Sequence, residues 1–166
     1  MSNPILIDPL AFARDAAEFH KEISIADLDE RVHEVLASTA GVVKFSLSGF
    51  VDRLRRPSLR YTLTANVELR CQRCLGVMPF DVASDGVITL FTSETKLEDA
   101  VAQDEELDAI MAEDEFDVQA LIEDEIIMGL PLSAKHDDCG SEHLERAKAD
   151  KPNPFAVLAT LKKSGS

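Results

Sequence analysis

The sequence predicts an α+β fold: an antiparallel sheet of about five strands with two main helices packed on it. Three observations carry that expectation. Leu59, Tyr61, Leu63, Ala65, Val67 and Leu69 alternate strictly with Arg60, Thr62, Thr64, Asn66, Glu68 and Arg70. A period of two marks a strand with one face on a core and one in water. Phe80, Val82, Ser84, Gly86, Ile88 and Leu90 continue in phase beyond a Cys71-Gln72-Arg73-Cys74-Leu75-Gly76 corner, so these two strands are expected to pair antiparallel. The segment Val118–Met128 is apolar over most of its circumference, which predicts a helix buried against that sheet.

The other elements follow along the chain. Pro4-Ile5-Leu6-Ile7-Asp8 reads as a short edge strand, and Pro9–Ala13 as a short helix capped by Asp8. Phe19, Lys21, Ile23 and Ile25 suggest a brief extended piece. Ser24-Ile25-Ala26-Asp27 has the shape of a capping box, and Leu28, Val32, Val35 and Leu36 lie at helical spacing behind it. A helix is therefore expected from Ala26 to Ala37, with His33 just off its apolar stripe; His33 and His20 both read as surface or boundary histidines. Val43, Phe45, Leu47, Gly49 and Val51 alternate as another long strand. Asp117 is a good cap for the helix that follows it, and Gly129 and Pro131 stop that helix. Glu123, Asp124 and Glu125 are consecutive, about 100° apart around the helix, and cannot converge on one reacting centre.

All of this fits a single domain spanning residues 1–166. Charge is uneven along it. Residues 1–92 hold 10 Lys and Arg against 12 Asp and Glu, whereas residues 93–166 hold 7 against 19, for a net charge of -14. A chain this acidic does not condense on nucleic acid through its overall field, so any RNA contact needs a local basic patch. Aromatic residues make up only 5%, without Trp, which argues against a base-stacking platform. Residues 93–116 crowd acids around a single Lys96 and read as a mobile, self-repelling loop, of which Leu107, Ile110 and Met111 can dock a short piece back on the sheet. That loop is either a solubilising linker or a nucleic-acid-like surface for a basic partner. Residues 140–166 read as a flexible tail that closes on a docking motif, Pro152-Asn153-Pro154-Phe155 and the apolar turn after it. No apolar run approaches a membrane span, and no basic start with a following apolar stretch is visible. Three cysteines without an export signal point to a reduced, cytoplasmic protein.

Two sets of residues carry chemistry. Cys71-x-x-Cys74 at a strand end, with Gly76 behind it to supply positive φ, suits a zinc knuckle. His136-x-x-Cys139 offers the two further ligands that a tetrahedral structural zinc requires. Such a site would pin the segment after the second helix onto the corner. The other readings are a thioredoxin-like redox pair, which needs the second Cys inside a helix where a strand is expected here, or three plain thiols without metal. The second set is basic: Arg53, Arg55, Arg56 and Arg60, with Arg73 extending the polar face and Lys162 and Lys163 in the tail. These are either solvated turn charges or phosphate contacts. No nucleophile elbow, phosphate-binding loop, dinucleotide fingerprint or HExxH site is present, so the sequence reads as a non-enzyme with no small-molecule substrate.

Three motifs occur in order: Cys71-Gln72-Arg73-Cys74, then Ile122-Glu123-Asp124-Glu125-Ile126-Ile127-Met128-Gly129-Leu130-Pro131-Leu132, then Lys151-Pro152-Asn153-Pro154-Phe155-Ala156-Val157-Leu158-Ala159-Thr160-Leu161-Lys162. In that order and spacing the chain resembles the large ribosomal RNA subunit accumulation protein (YceD) family of bacteria, which has plastid relatives. The resemblance implies a ribosome biogenesis factor needed for synthesis, processing or stability of 23S rRNA. Its partners would be precursor 23S rRNA or large-subunit ribosomal proteins. The other reading is an acidic adaptor for a ribosomal protein or an rRNA-processing enzyme. Some members of the family carry Cys at the position of His136, in keeping with a zinc ligand there.

Overall fold

The long alternating segments form the centre of the sheet in a computed structural model of the chain, which describes residues 3–139. In chain order the elements are β1 (Leu6–Ile7), α1 (Pro9–Arg14), β2 (Glu18–Ser24), a 3-10 turn (Ile25–Asp27), α2 (Glu30–His33), β3 (Val42–Val51), β4 (Pro57–Arg70), β5 (Val77–Phe91), α3 (Glu94–Gln103), β6 (Ala109–Met111), β7 (Phe116–Asp117) and α4 (Val118–Gly129). Five strands lie in the order β2-β3-β4-β5-β6, and β1 pairs with β7 apart from them. The fold class is the expected α+β.

Alternation dictates the register. β4 pairs antiparallel with both neighbours, so that Leu63 stands between Phe45 and Ser84 and Ala65 between Val43 and Val82. The inward set Leu59, Tyr61, Leu63, Ala65, Val67 and Leu69 is buried, whereas Arg60, Thr62, Thr64, Asn66 and Arg70 between them are exposed. Helices cover the inward face. Val118, Ile122 and Ile126 of α4 are fully buried, each burial contributing roughly 2 kcal/mol. Asp117 caps this helix by accepting from the Gln119 and Ala120 amides. α1 lies so close to β3 that a Cβ on Gly49 would sit 2.2 Å from the Phe12 carbonyl oxygen, so only glycine fits there.

Three expectations are corrected. The sheet is mixed rather than purely antiparallel, because β6 runs parallel to β5. A parallel neighbour needs a crossover, and the acidic stretch provides it. α3 and β6 lie within residues 93–116, where a mobile loop was expected. Leu97 and Ala100 of α3, and Leu107 and Ile110 beyond it, are half-buried, so this segment has an apolar side despite its charge. The helix expected from Ala26 to Ala37 is instead a 3-10 turn followed by the single turn α2. Leu28 is extended between them, and the Asp29 amide donates to Glu123 of α4, which holds the chain out of a continuous helix. Glu123 also receives the Arg31 guanidinium at 3.0 Å, tying α2 to α4. The expected tail, 140–166, lies outside the described residues.

Candidate functional site

The Cys-x-x-Cys corner is where β4 turns into β5. The Cys71 amide donates to the Gly76 carbonyl and the Leu75 amide to the Cys71 carbonyl, closing a tight turn. Positive φ falls on Leu75, at 63°, and not on Gly76, where it was expected. A Cβ on Gly76 would make only ordinary contacts, 3.4 Å from the Cys74 sulfur and 3.8 Å from the His136 ring, so the corner does not require glycine there. After α4 the chain returns to this corner. The Gln72 amide donates to the carbonyl of the buried Ala134, which brings His136 and Cys139 against the turn.

The four expected metal ligands thus share one site. The donor atoms of Cys71, Cys74, His136 and Cys139 all lie within 4.8 Å of one another. Cys71 Sγ is 3.3 Å from Cys139 Sγ, and Cys74 Sγ is 3.3 Å from His136 Nδ1. Cys71 is buried, Cys74 exposed, and His136 and Cys139 intermediate.

Electrostatics favour thiolates at Cys71 and Cys139. The Cys74 amide, with those of His136 and Arg73, holds the Cys71 thiol down at about 5 against the cost of burial. The Arg73 guanidinium holds Cys139 below the ordinary thiol range, its Nε donating to the sulfur at 3.2 Å. The Gly76 amide favours a Cys74 thiolate too, but burial and the Cys71 and Cys139 sulfurs outweigh it and leave Cys74 raised. Cys139 and Cys71 in turn raise His136. Amides directed at sulfur and an arginine beside it are what a charged thiolate site requires.

This donor set suits a metal. A tetrahedral zinc with Zn–S near ~2.3 Å sets its sulfurs ~3.8 Å apart, and a Cys3His set is among its usual structural environments. Four protein ligands close such a site. The redox reading lacks its structural basis, because Cys74 lies in a turn ahead of β5 and not in a helix.

The basic candidates separate. Arg73 is committed to the corner: besides Cys139 it donates to the His136 carbonyl at 2.6 Å. This bracing role escapes a sequence reading because its partners lie more than 60 residues away. Arg53, Arg55 and Arg56 sit at the other end of β4, on the β3–β4 hairpin. Arg56 pairs with Asp52 at 2.6 Å, and Asp52 also accepts the Leu54 and Arg56 amides. Burial pushes the Asp52 carboxyl up, but these amides and the Arg56 guanidinium outweigh it and hold it below the ordinary range. Arg53 and Arg55 are exposed, Arg55 at a φ of 61°. Arg60 lies 5.0 Å over the Phe50 ring. Lys162 and Lys163 lie outside the described residues. His33 is half-buried against the Ile25 carbonyl and His20 is exposed beside Glu18, neither joining a ligand cluster.

Fold and site together define a mixed α+β domain that gathers three cysteines and a histidine at one corner. Residues 59–162 match the family of the large ribosomal RNA subunit accumulation protein YceD, and the chain belongs to that family. It is similar to the Large ribosomal RNA subunit accumulation protein YceD of Haemophilus influenzae, with 28% identity over 173 residues covering 96% of this chain and 95% of that protein. No solved structure gives a significant match. The family name points to large-subunit ribosomal RNA and names no catalytic activity. No helix among the described residues is long and apolar enough to cross a membrane.

Proposed function

We propose that this chain is a cytoplasmic ribosome biogenesis factor, needed for the synthesis, processing or stability of 23S rRNA and acting without catalysis. The observation that carries this reading is membership, over residues 59–162, of a family named for large ribosomal RNA accumulation. Its partners are precursor 23S rRNA or large-subunit ribosomal proteins, with no membrane and no small-molecule substrate involved.

In this reading Cys71, Cys74, His136 and Cys139 hold one structural zinc, which supplies cross-linking rather than reactivity because no coordination position stays open. The gathering of all four donor atoms within 4.8 Å supports it. Arg53, Arg55 and Arg60 are the RNA-contacting side chains, with Lys162 and Lys163 of the tail, because Arg56 and Arg73 have partners within the chain.

Deletion of the gene tests the function. Mature 23S rRNA is expected to fall relative to 16S rRNA, with restoration by the intact gene. Normal 23S levels with normal precursor ends would reject the proposal.

A further inference from the structure

A groove of about 670 Å³ lies between α4 and the segment from Asp108 to Asp117. That volume is within the range of sites that take a side chain with its flanking backbone. Its floor is apolar, formed by buried Ile88 and by half-buried Ile110 and Leu121. Four carboxylates stand around this floor, those of Asp108, Glu113, Glu115 and Glu125, and no Lys or Arg among the described residues lines it. None of the four forms an ion pair among the described residues. Two other acids of the rim differ: Asp117 caps α4, and Asp124 is paired with Arg31.

Asp108 and Glu125 also act on each other. Burial and then the charge of Glu125 raise the Asp108 carboxyl above the ordinary range. Glu125 is held in place by the Ser84 hydroxyl, which donates to it at 2.5 Å. Like charges over an apolar floor, with no counter-charge among the described residues, are complementary to a cation that carries an apolar neighbour.

We propose that this groove docks a basic segment of a partner protein. An Arg or Lys head sits between Asp108 and Glu125, and an adjoining apolar side chain rests on Ile88, Ile110 and Leu121. The same four charges repel a polyanion, so this face takes protein and not RNA. The inference stands on the groove's own geometry. It rests on the proposed function only in naming large-subunit ribosomal proteins as a source of such segments.

The test uses the full chain and a short synthetic peptide of arginine and leucine, with its citrulline analogue as the neutral control. Asp108→Asn/Glu125→Gln is expected to weaken peptide binding by about tenfold or more, as is replacing arginine by citrulline. The variant should melt at the same temperature as the parent or higher, because a like-charge contact is relieved, and this separates lost binding from misfolding. A charge-matched control on α3, Glu98→Gln/Asp99→Asn, should leave affinity within about twofold, since exposed charges at a distance are screened. Peptide-induced amide shifts should centre on Ile110 and Leu121. Unchanged affinity in the groove variant, an equal loss in the α3 control, or no binding by the full chain overturns the proposal. Levels of 23S rRNA do not enter this test, so it can fail while the proposed function stands, and the reverse.

Discussion

The two ends of β4 carry opposite chemistry. At the corner, Arg73 bonds a sulfur and carbonyls of the returning segment, and its amide donates to the Cys71 sulfur. At the hairpin, Asp52 and Arg56 satisfy each other, while Arg53 and Arg55 are exposed. The 14 residues of β4 set these ends roughly 45 Å apart, at ~3.3 Å per residue. Arginines that look like one patch along the sequence are thus divided between two tasks. One end closes the fold, and the other presents charge to water.

The largest effect expected from this contrast is at the corner. Cys71→Ser, or removal of metal by a chelator, should release the segment after α4 and lower Tm by about 10 °C or more, because binding of a structural metal contributes directly to folding. Elemental analysis of the untreated protein should find one zinc per chain. A metal-free protein that melts identically in chelator would remove the clamp from the account.

Arg73→Ala should give a smaller loss. Tm falls, but zinc stays bound with weaker affinity, because the arginine supports a ligand rather than being one. Competition with a chromogenic chelator measures this. Affinity equal to that of the parent would return Arg73 to the list of free arginines.

At the hairpin, Arg56→Ala should cost about 1 kcal/mol, in the range of a partly exposed ion pair with good geometry. The Asp52 carboxyl is held low, so the stability it contributes is full above its unfolded value and is lost as pH falls through its folded value. The destabilisation caused by Arg56→Ala should therefore shrink in strong acid, which urea titrations at graded pH can follow. A penalty independent of pH would mean that Arg56 acts through packing alone.

The smallest stability effect belongs to Arg53→Ala/Arg55→Ala, within about 0.5 kcal/mol of the parent as for exposed positions generally. RNA association, by contrast, should weaken evenly across sequences and its salt slope should fall by about 2, one for each phosphate contact removed. An unchanged slope would make the hairpin a solvated turn.

Local pattern explains what the sequence disclosed. The long strands were legible because alternation over Leu59–Leu69 is a property of each residue and its near neighbours. The grouping of Cys71, Cys74, His136 and Cys139 was legible because two pairs at the same x-x spacing suit one another's chemistry. What escaped was set from far away. Asp29 donates its amide to Glu123, 94 residues on, and so interrupts a helix that spacing alone favoured. Ile110 and Met111 pointed to a docked piece, but β6 is three residues long and shows no period, so its parallel pairing follows from the crossover and not from its own side chains. The groove beside α4 escaped for the same reason, since its acids were counted as loop charge and its floor comes from other elements. At the turn, steric preference pointed to Gly76 for positive φ, yet Leu75 adopts it. The two bonds that close the corner fix the backbone there.

The most direct test of the division between the two ends is crosslinking of the tagged protein in cells, followed by sequencing of the bound RNA and mapping of the crosslinked peptide. The account predicts discrete sites within precursor 23S rRNA, among them crosslinks at the Arg53–Arg55 hairpin that are lost in Arg53→Ala/Arg55→Ala while the zinc content is unchanged. Crosslinks to protein alone, or hairpin crosslinks to RNA that survive those substitutions, would contradict it.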